Sequence, residues 1–219
     1  MGYLVAGSLN NYNLLTMQAP KPLLELLDDD AALLASWYAV AYDLQHVICA
    51  TKSLVTLLQQ PEPDKTLVRS LWASALVSYV RCFGSGRRTR LETSIYIHLL
   101  GDPIGTHQYY KDTRDKHIAH PVNAFEDVRV GIAIGESGED IGVGYLVSFR
   151  ICDSAEGVSQ LGTLSSVAMQ HVLSIIKPLE KAILDRAKAS PDQLTSLKQL
   201  CIQPQGGSDA ARTPRAMRG

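Results

Sequence analysis

Apolar residues keep two different rhythms along this chain, and the change between them limits the fold more than any other feature. Leu33, Trp37, Val40, Leu44, Val47, Thr51, Leu54 and Leu58 recur every three or four positions, the spacing that gathers one stripe on one side of an α-helix. A second stripe, Val68, Leu71, Trp72, Ala75, Tyr79, Cys82 and Phe83, follows the break Pro61-Glu62-Pro63, with Asp64 as its expected N-cap. From Val128 the period drops to two. Val128, Val130, Ile132 and Ile134 alternate with Arg129, Gly131 and Ala133, and Ile141, Val143, Tyr145, Val147, Phe149 and Ile151 repeat the pattern after the turn-rich stretch GESGED. Two alternating runs joined by a turn predict a β-hairpin. A lone hairpin is marginal in water, so its apolar face is expected to pack on the helices.

Helical spacing returns at Leu161, Leu164, Ala168, Val172, Ile175, Leu179 and Ile183, which predicts a long helix over 155–189 that Pro178 should kink. Shorter helices fit 91–100, closed by Gly101 and Pro103, and 106–120, capped by Thr106 and closed by Pro121. The expected fold class is mainly α, a bundle of four to five helices with an added two-stranded antiparallel β-hairpin at 128–151. It forms a single helical domain over 21–190, after a lead-in segment at 1–20. The end, 203–219, is poor in apolar residues and is expected to be disordered. No internal repeat is visible.

With 46% hydrophobic and 20% charged residues, the chain has enough apolar material for a sizeable core. Its net charge of -1 excludes a globally basic surface, so any contact with nucleic acid must come from a local patch. The run Arg87-Arg88-Thr89-Arg90 is one such patch, and Arg87 and Arg88 are candidate phosphate contacts. The longest apolar stretch, 31–42, is stopped by Asp43 and is too short to span a bilayer. The N-terminus lacks a basic n-region and makes a poor signal peptide, so a cytoplasmic protein with no membrane partner is expected. Cys49, Cys82, Cys152 and Cys201 form no CxxC pair and read as small buried side chains in a reducing compartment. His46, His98 and His171 sit in apolar surroundings and read as structural.

Residues 113–121, TRDKHIAHP, have a different character. On a helical wheel with Arg114 at zero, His107 falls at about 20°, Ile118 at about 40°, Tyr110 at about -40° and His117 at about -60°. A helix that docks through Ile118 and Tyr110 carries Arg114 and His117 towards the protein, where each must be paired or line a cleft. The residue types suit phosphate chemistry. Arginine offers a planar, permanently charged fork, and histidine exchanges protons near neutral pH. Together they can cleave RNA without a metal. A histidine takes the proton of a ribose 2′-OH, the 2′-oxygen attacks the adjacent phosphorus, the arginine stabilises the phosphorane oxygens, and a second acid protonates the leaving 5′-oxygen. Three other readings stay open at this point. Arg114 can pair structurally with Asp112 or Asp115, the histidines can serve the helix dipole, and His117-x-x-His120 can begin a metal site. That last set lacks a clear third ligand at fixed spacing, and no metal or cofactor is expected.

The run Arg114-Asp115-Lys116-His117-Ile118-Ala119-His120 resembles the R-x(4–6)-H signature of HEPN domains, most closely in their abortive-infection-related (AbiU-like) branch. Five residues separate Arg114 from His120, and Asp115 is the small polar residue that commonly follows the arginine. The resemblance covers roughly residues 25–190, with specificity only in the motif; the hairpin lies outside the minimal HEPN bundle. It implies a homodimer with the motifs near the two-fold axis, giving a composite site with two copies of His120. It also implies a metal-independent endoribonuclease of a toxin–antitoxin, abortive-infection or similar defence system, or else a non-catalytic module that binds RNA, nucleotide or protein. Under the enzymatic reading Arg114 and His120 are catalytic and His117 and Asp115 support them. Tyr110, Lys116, Arg87 and Arg88 contact the substrate. The implied partners are a second copy, RNA, and an antitoxin or nucleotidyltransferase protein.

Overall fold

A computed structural model describes residues 24–86, 88–118, 126–134, 138, 140–194 and 197–198. The fold is mainly helical, with one two-stranded antiparallel sheet. Helices α1 (Asp29–Leu58) and α2 (Lys65–Arg81) follow the two predicted stripes. Asp64 caps α2, its Oδ1 accepting the N–H groups of Thr66 at 2.9 Å and Leu67 at 3.0 Å, two of the donors that a helix start leaves open.

Two sequence expectations need correction between α2 and the hairpin. The helix predicted over 91–100 is a single 3-10 turn, Thr93–Tyr96. Of its apolar residues only Leu91 and Tyr96 are deeply buried, five positions apart, while Ile97 and Leu100 face solvent, so no continuous stripe is there to hold a longer helix. Helix α3 (Pro103–Thr113) starts before the expected Thr106. Asp102 is its cap, accepting from the Gly105 N–H at 2.8 Å, and Pro103 stands in the first turn, where a missing N–H costs nothing. Thr106 instead donates its hydroxyl to the Asp102 carbonyl at 2.8 Å.

The helix then widens. Residues Arg114–Ile118 form a π-helical turn rather than continuing the α-helix expected to residue 120. His120 and Pro121 lie outside the described residues, as do the lead-in segment 1–20, Arg87 and the tail 203–219.

Strands β1 (Glu126–Ile134) and β2 (Asp140–Phe149) pair antiparallel, with Val128 opposite Val147, Val130 opposite Tyr145 and Ile132 opposite Val143; the register shifts between Ala133 and Ile134. The hairpin is the predicted one, but its apolar face is not packed on the helices as expected. Val130 is 71% exposed and Tyr145 73%. Alternation decides which side chains share a face and says nothing of what covers it. Helix α4 spans Ala155–Ala189 and runs on through Pro178, and a short turn, α5 (Pro191–Leu194), follows. Among the described residues no helix is long and apolar enough to cross a membrane.

The chain divides into two compact units. One holds the described residues that fall within Met1–Ala41, Gly86–Thr89 and Val172–Gly219. Within it the Tyr38 hydroxyl bonds the Glu180 carboxylate, the Thr89 N–H donates to Ser36 Oγ at 2.8 Å, and Arg186 reaches Asp30 at 2.7 Å and Asp28 at 2.8 Å.

The other unit comprises Tyr42–Ser85 and Arg90–His171. Leu44, Val47 and Leu54 of α1, Val68, Leu76 and Tyr79 of α2, and Val158 and Leu161 of α4 are fully buried in it. Its core also holds a directed polar chain. Tyr96 donates to the Leu164 carbonyl at 3.2 Å, and Tyr79 donates to Tyr96 at 3.2 Å. The Tyr79 oxygen lies 2.9 Å from His107 Nδ1. His107 completes the chain, its ring hydrogen-bonded to the Tyr79 hydroxyl. Phe83 packs edge-on against the same imidazole, with ring centres 4.5 Å apart.

Candidate functional site

The second unit contains a cleft of about 180 Å³ where α2, α3, the π turn and the foot of the hairpin meet. Its walls carry Arg69 and Trp72 from α2, Tyr109 and Thr113 from α3, His117 and Ile118 from the π turn, Glu126 from β1, and Arg150 and Asp153 from the segment after β2. Tyr109 and Thr113 stand four residues apart on one side of α3, and His117 reaches the same cleft from the π turn.

Asp153 organises this cleft. Its Oδ1 accepts Arg150 Nη2 at 2.5 Å and the Ser154 N–H at 2.8 Å, and its Oδ2 accepts the Tyr109 hydroxyl at 3.0 Å. The carboxylate can approach α4 so closely because residue 157 is glycine: a Cβ there would fall 2.5 Å from Asp153 Cγ. Burial, and then the bond to Asp153, raise the Tyr109 phenol above its ordinary range. Beside it, burial pushes the Cys152 thiol up to about 11. Also lining the cleft, Arg69 Nη2 lies 3.8 Å from Glu126 Oε1, and its guanidinium sits 5.6 Å from the centre of the Phe149 ring. Two arginines, two carboxylates, a phenol and an imidazole therefore share one small opening with an aromatic wall.

The structure separates the residues that the motif groups together in sequence. His117 lines the cleft. Arg114 does not; its Nη1 bonds Asp115 Oδ1 at 2.6 Å, with both side chains about one-third exposed. Lys116 faces away to Asp112, at 3.6 Å. Tyr110, expected to contact substrate, belongs to the core instead. It is 1% exposed, donates its hydroxyl to the Gly157 carbonyl at 2.6 Å and packs edge-on against Trp72 and Tyr79. A phenol enclosed on all sides has no surface to offer RNA. Arg88 is half-buried and belongs to the first unit. His107, which the helical wheel places beside Arg114, is buried against Tyr79, and burial, then the nearby Lys111 charge, lower its pKa.

Arg69, Tyr109, Arg150 and Asp153 escaped the sequence reading. Arg150 falls at an ordinary polar position of the alternation between Phe149 and Ile151, so nothing local marks it. Among the described residues no group of three or more His, Cys, Asp and Glu is gathered as a metal site would need. Comparison with family models, with curated proteins and with solved structures gives no match.

Proposed function

We propose that this chain is a HEPN-like, metal-independent endoribonuclease that acts as a homodimer in a defence or toxin-type system. The observation that carries the reading is the π turn. Its five residues, Arg114–Ile118, hold four of the motif's polar side chains, and it sets His117 into a cleft shared with Arg69, Arg150 and Tyr109. π turns are rare and recur at functional sites, because the extra residue re-aims the side chains that follow. In this reading His120 is the base that takes the 2′-OH proton. Arg114, oriented by Asp115, stabilises the phosphorane oxygens. His117 supports the reaction from the cleft wall, and a second His120, from the partner copy, serves as the acid.

Purified protein incubated with RNA in excess EDTA tests this. Cleavage that leaves a 2′,3′-cyclic phosphate is expected, and loss of most activity in Arg114→Ala and His120→Ala, with both variants still folded. A requirement for added metal, or full activity in either variant, contradicts it. A second reading, a non-catalytic HEPN-type module binding RNA, nucleotide or an antitoxin-like protein, draws on the Arg114–Asp115 pair, which engages the guanidinium within the free protein. Binding of RNA without cleavage favours it.

A further inference from the structure

The hairpin has one strongly apolar face and one that is not. Residues directly opposite in an antiparallel pair share a face. Val128, Val130 and Ile132 of β1 therefore stand beside Val147, Tyr145 and Val143 of β2. The other face carries Arg129 beside Leu146, Gly131 beside Gly144 and Ala133 beside Gly142. The six apolar residues are exposed by between 45% and 74%. Together they leave on the order of 700 Å² uncovered, above the roughly 300–600 Å² of the largest patch on a typical monomer and close to the roughly 800 Å² each partner gives a standard interface.

We propose that this face is the surface on which two copies of the chain associate, hairpin against hairpin across a two-fold axis. Val130 and Tyr145 oppose each other midway along the ladder, so an axis through that pair lays the apolar face on its own copy. The six residues carry no charge and offer no electrostatic address to a foreign partner, whereas an isologous contact needs only self-complementarity. Pairing through the strand edges is the other way two hairpins meet. It leaves the apolar face in water and doubles its width, so it does not answer the exposure. The foot of the same hairpin, Glu126 and Arg150, lines the cleft, so association through the hairpin brings the second copy towards the candidate site.

The proposal rests on the homodimer of the proposed function and gives it an interface; sedimentation equilibrium of the full chain tests it without RNA, a monomer counting against both readings and a dimer indifferent to the face variants against this interface alone. At micromolar concentration the mass should be twice the 23.9 kDa of the chain. Val130→Asp and Tyr145→Asp should each weaken the dimer by roughly 30-fold or more, the scale of a central interface residue. Leu146→Asp, on the opposite face and 78% exposed, should leave it within a few-fold. Far-UV circular dichroism should be unchanged, because these side chains are already uncovered in the single chain. Should either aspartate variant misfold, Val130→Thr with Tyr145→Thr keeps strand propensity while removing apolar area, and the same loss is expected. A monomer at these concentrations, whether its face stays bare or is covered by another segment of its own chain, overturns the proposal. So does a dimer indifferent to the face variants or dissociated by Leu146→Asp.

Discussion

Arg114 Nη1 stands 2.6 Å from Asp115 Oδ1 within the π turn that ends α3. A guanidinium held by its own chain neighbour is restricted in direction but keeps its remaining donors for a phosphate. On the proposed mechanism Asp115→Asn should therefore lower kcat by about tenfold, less than the roughly 10²–10³-fold expected for Arg114→Ala, which there removes the charge assigned to the phosphorane. Neither change should move the unfolding midpoint much, since a partly exposed pair contributes little to stability. Single-turnover cleavage and thermal unfolding check both statements, and unchanged cleavage in Asp115→Asn counts against the orienting role.

Local rhythm made most of the fold readable. The stripes that end at Leu58 and run from Val68, the cap at Asp64, the two strands of the hairpin and the helix Ala155–Ala189 all follow from spacing and capping chemistry. The start of α3 was misplaced because Asp102 and Thr106 are both acceptable caps, and only the Asp102 side chain reaches an open N–H. The site was less readable. A helical wheel assumes one angle per residue, and the π turn breaks that assumption where Arg114 and His117 lie. Tyr110 looked amphipathic in sequence, yet Trp72 and Gly157, distant along the chain, enclose it. Arg69, Tyr109 and the Arg150–Asp153 pair come from three separate segments, and no local pattern announces that they meet.

Stability should fall on acidification through His107. Its pKa in the folded protein lies below the ordinary 6.5, because burial and Lys111 disfavour the imidazolium. The unfolded chain thus binds more protons below that value, and stability, full above it, is lost as pH drops through it towards the folded-state pKa. Urea unfolding at about pH 7.5 and about pH 5.5 should give a lower midpoint at the acid end, with a slope of at most about 1.4 kcal/mol per pH unit from this residue. His107→Gln should flatten that part of the profile. An undiminished slope in the variant places the titration elsewhere.

Tyr110 should matter for stability and not for chemistry. Tyr110→Phe removes the bond to the Gly157 carbonyl and should cost about 1 kcal/mol, while kcat on RNA stays as it was. Gly157→Ala presses a methyl group onto Asp153. It should cost about 1–3 kcal/mol, the scale of overpacking, and loosen Tyr109 and Arg150 with it. Chemical unfolding of the two variants, beside their cleavage rates, separates core from site; a large kcat defect in Tyr110→Phe reverses the assignment.

Arg69 flanks the cleft with most of its side chain in solvent. If it contacts a backbone phosphate, Arg69→Ala should raise KM several-fold with little change in kcat. It should also reduce the salt dependence of RNA binding by about 0.7 in the log–log slope, the value for one contact on a single strand. Fluorescence anisotropy over a salt series reads this directly, and an unaltered slope removes Arg69 from the RNA surface.

The most direct test of the proposed chemistry changes the substrate and leaves the protein intact. An oligoribonucleotide with a single 2′-deoxy sugar at the cleaved position lacks the nucleophile on which the mechanism depends, while its phosphates and bases are unaltered. Wild-type protein in EDTA should cut the all-ribose strand to a 2′,3′-cyclic phosphate and leave the substituted linkage intact. Cleavage at the deoxy position means the attacking oxygen comes from elsewhere, and contradicts the roles given to Arg114 and His120.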